Sequence, residues 1–510
     1  MVGGTCMENV IEINTDQIAS PKSSDSLYEC RSAMAGIPVP NKTFMAQVTI
    51  CVKAYNKIEK TKRCVESILK YTNNIDYELL LIDNGSDDGT FEYFQQINFK
   101  KKTIIRITKN IGGPFPLYLV SLYNLARYIV LVENDIVVTS NWLFNMIKIA
   151  ESDQRIGIVT PSANNVSNLQ AIDFKYRDYD EMQEIAEQIN QSNPTKWHER
   201  IRLVTLCTLY KKECLMAVGW PIIDLGFFHD FSDDDIVFRI RRSGYKAILA
   251  RDVWVCHDHP VSDRYNNEIV SASLYNGRKN FFEKYYGIDA WEDVNNYVFY
   301  LIEDKLKEVP AENPKILGID CKCGTPILDI KNLLKRFGRK QMELSAFTQE
   351  DKYTMDLNTI CNGSVICDRE EFISDAFLCD YFDYIILDRP INQYHEPIKV
   401  LVDVYSMLHQ KGQIFFKLKN SFTIYSFLRV LGYLEMDYTE YCINYPYDIF
   451  AKKLSNSGFN IQLINLQYIQ GVSEEIVNKV QKILEDNGNN NCQEMMNRLM
   501  VDNFWFVIEK

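Results

Sequence analysis

From Gln47 onward, short runs of β-branched and apolar residues alternate with stretches whose apolar positions recur at helical spacing. "QVTICVKAY" reads as a strand, and "KIEKTKRCVESILKY" as a helix with Ile58, Val65, Ile68 and Leu69 on one face. "YELLLID" and "TIIRIT" follow as strands, then a helix over Leu117 to Arg127, then the strand "YIVLVENDIVV". A second series opens near Lys315 with "KILGID" and runs through "FDYIILD", "GQIFFKL" and the closing "FWFVIEK". Residues 263–312, between the two series, have a mostly helical pattern, while residues 1–44, with "SPKSSDS", are polar and irregular. The alternation predicts an α/β protein with mainly parallel sheets. Its expected domains are 45–262 and 313–510, with a flexible extension at 1–44 and a helical connector at 263–312.

Ligands on such sheets bind beyond the carboxyl ends of the strands, and polar residues interrupt the apolar pattern there. "LLLID" ends at Asp83 and enters the turn-rich "NGSDDGT", and "YIVLV" runs into Glu133, Asn134 and Asp135. Asp230, Asp233, Asp234 and Asp235 precede a basic helix, and His257 and His259 follow a further strand. Carboxylates with an imidazole suit Mg²⁺ or Mn²⁺, which bind diphosphate oxygens and offset charge on a leaving group. Taken singly, the acidic cluster reads equally as helix capping and "DNGSDDGT" as a turn. Taken jointly, acidic residues recurring at strand ends of one sheet favour a site.

Length and composition narrow the class. A chain of 510 residues exceeds one ordinary core, and 46% hydrophobic with 24% charged residues is a globular balance. A net charge of −12 argues against nonspecific nucleic-acid or anionic-membrane binding. Fourteen cysteines without small-scaffold spacing read as free thiols of a reducing compartment, and "CKC" (Cys321, Cys323) as packing rather than a zinc knuckle. With no apolar run of membrane length and no secretory pattern, a cytoplasmic location is expected.

The segment from Gln47 to about Tyr286 resembles a family 2 glycosyltransferase of the GT-A fold. The likeness rests on "VTICVKAYNKIEKTKRCVESI", "ELLLIDNGSDDGT", "YIVLVENDIVVTSNWL" and "CTLYKKECLMAVGWPIIDLGFFHDFSDDDIVFRIRRSGY", in that order. It implies a nucleotide pocket lined by Ala54 and Tyr55, with Asp83 on the base and Glu133 and Asn134 on the donor. It implies metal binding by Asp135, with His257 or His259 as a further ligand, and a general base at Asp233 or Asp234. Ser232 replaces the acidic residue usual before that base, and Pro221 to Ile223 depart from the usual acceptor wall. The implied reaction is metal-dependent, inverting transfer of a sugar, UDP-linked by preference, to an acceptor hydroxyl on a protein such as flagellin or on a surface glycan. Its partners are a nucleotide-sugar donor and a glycan or protein acceptor.

From Lys315 the chain resembles a class I methyltransferase-like Rossmann domain. "ILGIDCKCGTPILDI" stands at the cofactor loop, and "FDYIILDRPINQYHEPIKVLVDVYSMLHQKGQIFFKLKN" at the fourth and fifth strands. A cofactor site for S-adenosylmethionine would use Asp320, Gly324 and Glu343. Lys322 and Pro326, however, occupy two of the three glycine positions that let backbone approach the ligand. A degenerate domain that docks acceptor, oligomerises or supports its neighbour is the expectation. The alternatives are a bifunctional glycosyltransferase and methyltransferase, and a non-catalytic nucleotide-sugar-binding protein.

Overall fold

The computed structural model describes residues 10–16, 22, 26–34, 46–113, 126–219, 223–259, 268–435, 442–486 and 491–510. The chain divides into two compact units, Met1–Asn295 and Asn296–Lys510. The helix expected over Leu117 to Arg127 lies almost wholly outside the described residues.

The first unit is built on one sheet. Its strands are β1 (Val10–Ile13), β2 (Val48–Ala54), β3 (Tyr77–Asn84), β4 (Lys102–Ile107), β5 (Tyr128–Glu133), β6 (Ile136–Val137), β7 (Ile156–Ala163), β8 (Trp197–Glu199), β9 (Cys207–Lys211) and β10 (Lys246–His257). Their order is β1-β4-β3-β2-β5-β9-β7-β10-β6, with β8 also on β10. The first five are parallel, and β9 reverses direction between β5 and β7. Every residue of β3 is buried, which accounts for its unbroken apolar run "LLLI". The helix Ile58–Tyr71 turns Cys64, Val65 and Ile68 into the core, as its spacing predicts.

Two placements depart from the expected boundaries. Residues 1–44 are not wholly an irregular extension: β1 adds to the sheet beside β4, and Leu27–Met34 is helical. Ile11 and Ile13, two residues apart, give the edge strand its inward face, a pattern too short to stand out in sequence. The stretch expected to be a connector is divided between the units, Glu268–Lys284 falling in the first and Phe299–Ile302 in the second.

An ion cluster ties these late and early helices to the helix Ser232–Arg242 and the loop before it. Asp224 accepts from Arg31 Nε at 2.8 Å and from Lys284 Nζ at 2.5 Å. Lys284 Nζ also lies 2.5 Å from Asp235, which takes a further hydrogen bond of 2.6 Å from the Tyr285 hydroxyl. Although burial works against its charge, Arg31 and Lys284 hold Asp224 well below the carboxylate range. Burial pushes Asp235 the other way, opposed by Lys284.

The second unit has seven strands: β11 (Lys315–Ile319), β12 (Glu343–Thr348), β13 (Val365–Cys367), β14 (Phe382–Leu387), β15 (Leu408–Lys419), β16 (Asn460–Tyr468) and β17 (Val501–Glu509). Their order is β13-β12-β11-β14-β15-β17-β16, and only β17 runs against its neighbours. Numbered within the unit this is 3-2-1-4-5-7-6 with the seventh strand reversed, the topology of the methyltransferase-like Rossmann fold. No helix among the described residues is long and apolar enough to cross a membrane.

Removing Lys284 strands Asp235 in the interior without its nearest cation. Lys284→Met should lower the first unit's unfolding free energy by about 3 kcal/mol in urea titrations. Lys284→Met with Asp235→Leu should recover most of that loss, because no buried charge is then left unpaired.

Candidate functional site

The carboxyl ends of β2, β3, β5 and β10 meet at one edge of the first sheet. Ala54 pairs with Asp83 across β2 and β3, and Lys53 with Glu133 across β2 and β5. Ala54 is buried, while Tyr55, one residue on, is exposed. Asp83 is buried, with one carboxylate oxygen accepting from Ser86 N at 3.0 Å. Its Oδ2 is buried and has no hydrogen-bond partner among the described residues. Burial pushes its pKa up, against the Ser86 hydrogen bonds.

The loops after β2 and β3 interlock around this point. Asn56 N–H donates to Ser86 Oγ (2.9 Å), and Asp87 N–H to Asn56 Oδ1 (3.0 Å). Asp88 caps two helices at once, accepting from Ile58 N at 2.8 Å and from Thr90 N at 3.1 Å. The helix from Ile58 has no side-chain cap at Lys57, so this carboxylate from the neighbouring loop satisfies its first turn. The "DNGSDDGT" segment is thus a turn locked to the loop after β2 by side-chain hydrogen bonds.

Glu133, at the end of β5, is half-buried and lies 2.5 Å from Lys53 Nζ, which also donates to Gly113 O at 3.1 Å. Burial raises its pKa; Lys53 opposes this, whereas the negative charges of Asp135 and Asp233 add to it. Asn134 spends its amide donors on Asn56 O and Thr61 Oγ1, both at 2.9 Å. It braces the turn against the loop after β2.

Directly after this turn, β6 joins the end of β10: Ile136 pairs with His257 and Val137 with Cys256. That two-residue pairing carries His257 Nε2 to 3.7 Å from Asp135 Oδ1. His257 Nδ1 lies 3.0 Å from Asn165 O, so the N–H sits on Nδ1 and the Nε2 lone pair faces Asp135. Burial lowers the His257 pKa, although Asp135 opposes this, which favours the neutral imidazole that a metal requires. The His259 ring stacks on His257 with centroids 5.7 Å apart.

The helix Ser232–Arg242 brings up its first-turn acids. Here the structure separates residues the sequence could not. Asp234 is buried and ion-paired with Arg202, burial and the adjacent Asp233 pushing its pKa up against that cation. Asp235 belongs to the ion cluster with Lys284. Asp233 is half-exposed and takes a hydrogen bond from Asp234 N at 3.0 Å, and no cation pairs with it among the described residues. Arg202 sits on a segment that Asn168 and Gln170 hold through Arg202 O (2.9 Å) and Val204 N (2.7 Å).

A divalent ion fits Asp135 and His257, one anionic oxygen and one neutral imidazole with its tautomer set by a backbone carbonyl. Among the described residues no group of three or more His, Cys, Asp or Glu is placed to hold a metal. The fit is therefore to an ion that completes its shell with water and substrate phosphates, as Mg²⁺ commonly does. The reading of the sequence missed Lys53 and Arg202. Lys53 was visible as a charge inside "VTICVKAY", the mirror of Glu133 inside β5, whereas nothing local marked Arg202.

In the second unit, Asp320 and Gly324 lie in the loop after β11, at the carboxyl end of the sheet. Glu343 does not join them, which corrects its expected place at a ribose. It is the first residue of β12, opposite Lys315, and Tyr381 OH donates to it at 2.9 Å. A one-strand run of β propensity does not say which end faces the loops, and the order of β11 and β12 decides it.

Residues 49–196 match the family model for glycosyl transferase family 2. Solved structures resembling the chain include a mannosyltransferase from Pyrobaculum calidifontis in complex with GDP-Man and Mn²⁺. That likeness has 16% identity and a TM-score of 0.34, covering 60% of this chain and 76% of the other. GalNAc-T7 with UDP, GalNAc and Mn²⁺ has 12% identity and a TM-score of 0.38, covering 75% and 70%. A SAM-dependent methyltransferase from Archaeoglobus fulgidus has 17% identity and a TM-score of 0.27, covering 45% and 98%. TM-scores this far below 0.5 give these three likenesses no weight for chemistry. No curated protein matches the chain.

Lys53→Met would leave half-buried Glu133 beside two other acids without its cation. The Glu133 carboxyl, already raised, should rise further, and a raised folded pKa means the native state holds the extra proton. Stability of the variant should therefore fall as pH increases above about 4.3, the unfolded value. Urea titrations between pH 4 and 8 should show a steeper fall than in wild type.

Proposed function

Given a chain whose residues 49–196 form a glycosyl transferase family 2 domain, we propose a metal-dependent, inverting transfer of sugar from a nucleotide-diphosphate donor to an acceptor hydroxyl. The observation that carries it is the division among the carboxylates. Asp135 meets His257 at 3.7 Å, and Asp233 alone of its helix's three first-turn acids has no cation among the described residues.

Asp83 receives the nucleobase, its unpartnered oxygen accepting a ring N–H, which suits uracil, whose N3 carries a proton. Ala54 and Tyr55 line that pocket. Glu133, paired with Lys53, faces the donor ribose. Asp135 and His257 hold Mn²⁺ or Mg²⁺, which when bound offsets the charge of the departing diphosphate. Asp233 takes the acceptor hydroxyl's proton as that oxygen attacks the anomeric carbon, so the configuration inverts. Asp234 is not the base on this reading, because Arg202 already claims its charge, and it holds the helix that presents Asp233.

The acceptor is a hydroxyl on a protein such as flagellin or on a surface glycan. A cytoplasmic setting agrees with cysteines such as Cys51, Cys64, Cys207 and Cys256, which are buried free thiols.

Asp135→Asn should abolish Mn²⁺-dependent donor binding in calorimetry with UDP-sugars. Asp233→Asn should leave donor affinity within about twofold while lowering kcat by at least about 10²-fold, the scale of general-base catalysis. Equal loss of donor binding in both variants would overturn the assigned division of labour. Asp83→Asn should weaken nucleotide binding about tenfold or more, yet leave unliganded stability unchanged or higher, since it removes a buried carboxylate lacking a full set of partners.

A further inference from the structure

We propose that the C-terminal unit has turned its cofactor crevice into a structural hydrogen-bond network and does not take S-adenosylmethionine. In an open, mainly parallel sheet the ligand crevice lies where the strand order reverses. Here that point is between β11 and β14, since β12 and β13 extend to one side and β15 to the other. Asp320 follows β11 and Asp388 follows β14, so these two carboxylates flank the crevice.

All four of their oxygens are taken by the chain itself. Asp320 Oδ1 accepts from Gln349 N at 2.9 Å, and Oδ2 accepts from Gln349 Nε2 and from the Tyr394 hydroxyl, both at 2.8 Å. Asp388 Oδ1 lies 2.6 Å from Lys417 Nζ, and Oδ2 accepts from Asn296 Nδ2 at 2.6 Å. Tyr394 is fully buried, with the Arg389 guanidinium 5.0 Å from its ring centroid. A phenol thus occupies the wall beside the loop that would receive the ligand.

The loop itself keeps its shape without its purpose. Asp320, Lys322 and Gly324 all have positive φ (49°, 52° and 101°), so the backbone follows a path that normally calls for glycine. At Lys322 a side chain now stands where close approach would be needed. The remaining glycine serves packing: a Cβ at Gly324 would lie 2.3 Å from Ile360 Cδ1. At the carboxyl end of β12, where an acid would meet a ribose, stands Gln349, its amide engaged by Asp320. The network links the ends of β11, β12, β14 and β15, so it staples the edge that a cofactor would otherwise bridge.

The inference is independent of the sugar-transfer reading and is tested on the full chain. Equilibrium dialysis against radiolabelled S-adenosylmethionine, and separately S-adenosylhomocysteine, up to 1 mM should show no saturable uptake. One-site saturable uptake of either compound would overturn the proposal. Tyr394→Phe, which deletes one donor to Asp320 and keeps the ring, should lower the unfolding midpoint by about 2–4 °C. A midpoint equal to that of wild type would refute the structural role of the network.

Discussion

The buried carboxylates at the open edge of the first sheet lose solvation, and the fold is arranged around how that loss is offset. Glu133 is answered by Lys53 on the neighbouring strand, Asp234 by Arg202, and Asp235 by Lys284 and Tyr285. Asp88 is answered by backbone N–H groups at two helix starts. Without these partners the parallel strands could not end in acids and still bury the residues before them.

Against that background the incompletely answered acids become informative. Among the described residues Asp83 keeps one buried oxygen without a donor, and Asp135 faces the lone-pair side of His257. Asp233 has one backbone N–H where its two neighbours have cations. The proposed function draws on these acids, while Asp235 and Asp252 also keep a buried oxygen with no hydrogen-bond partner among the described residues. The β6 to β10 pairing matters for the same reason, because two residues of antiparallel ladder set the distance between Asp135 and His257.

The second unit shows the contrary outcome on a related architecture. Its crevice is flanked by two acids, yet Gln349, Tyr394, Lys417 and Asn296 engage every oxygen. On the proposed reading, one unit leaves strand-end acids for a ligand, and the other closes them with its own side chains. Shared topology therefore says little about shared chemistry.

The sequence by itself determined the two α/β series, the strands from β2 onward that carry strong apolar runs, and the strand ends at which acids break those runs. Hydrophobic periodicity is local, so it survives without knowledge of partners. It did not show that "YIVLVENDIVV", read as one strand, breaks after Glu133 into β5 and a separate β6 that pairs with β10. Tertiary structure alone decided which acids are structural, because their cations come from remote segments: Arg202 for Asp234, and Arg31 and Lys284 for Asp224. It also decided that Glu343 lies at the wrong end of its strand for a ribose, and that β1 belongs to the sheet at all. Ion pairs and strand order join residues far apart in the chain, and no local pattern encodes a partner that distant.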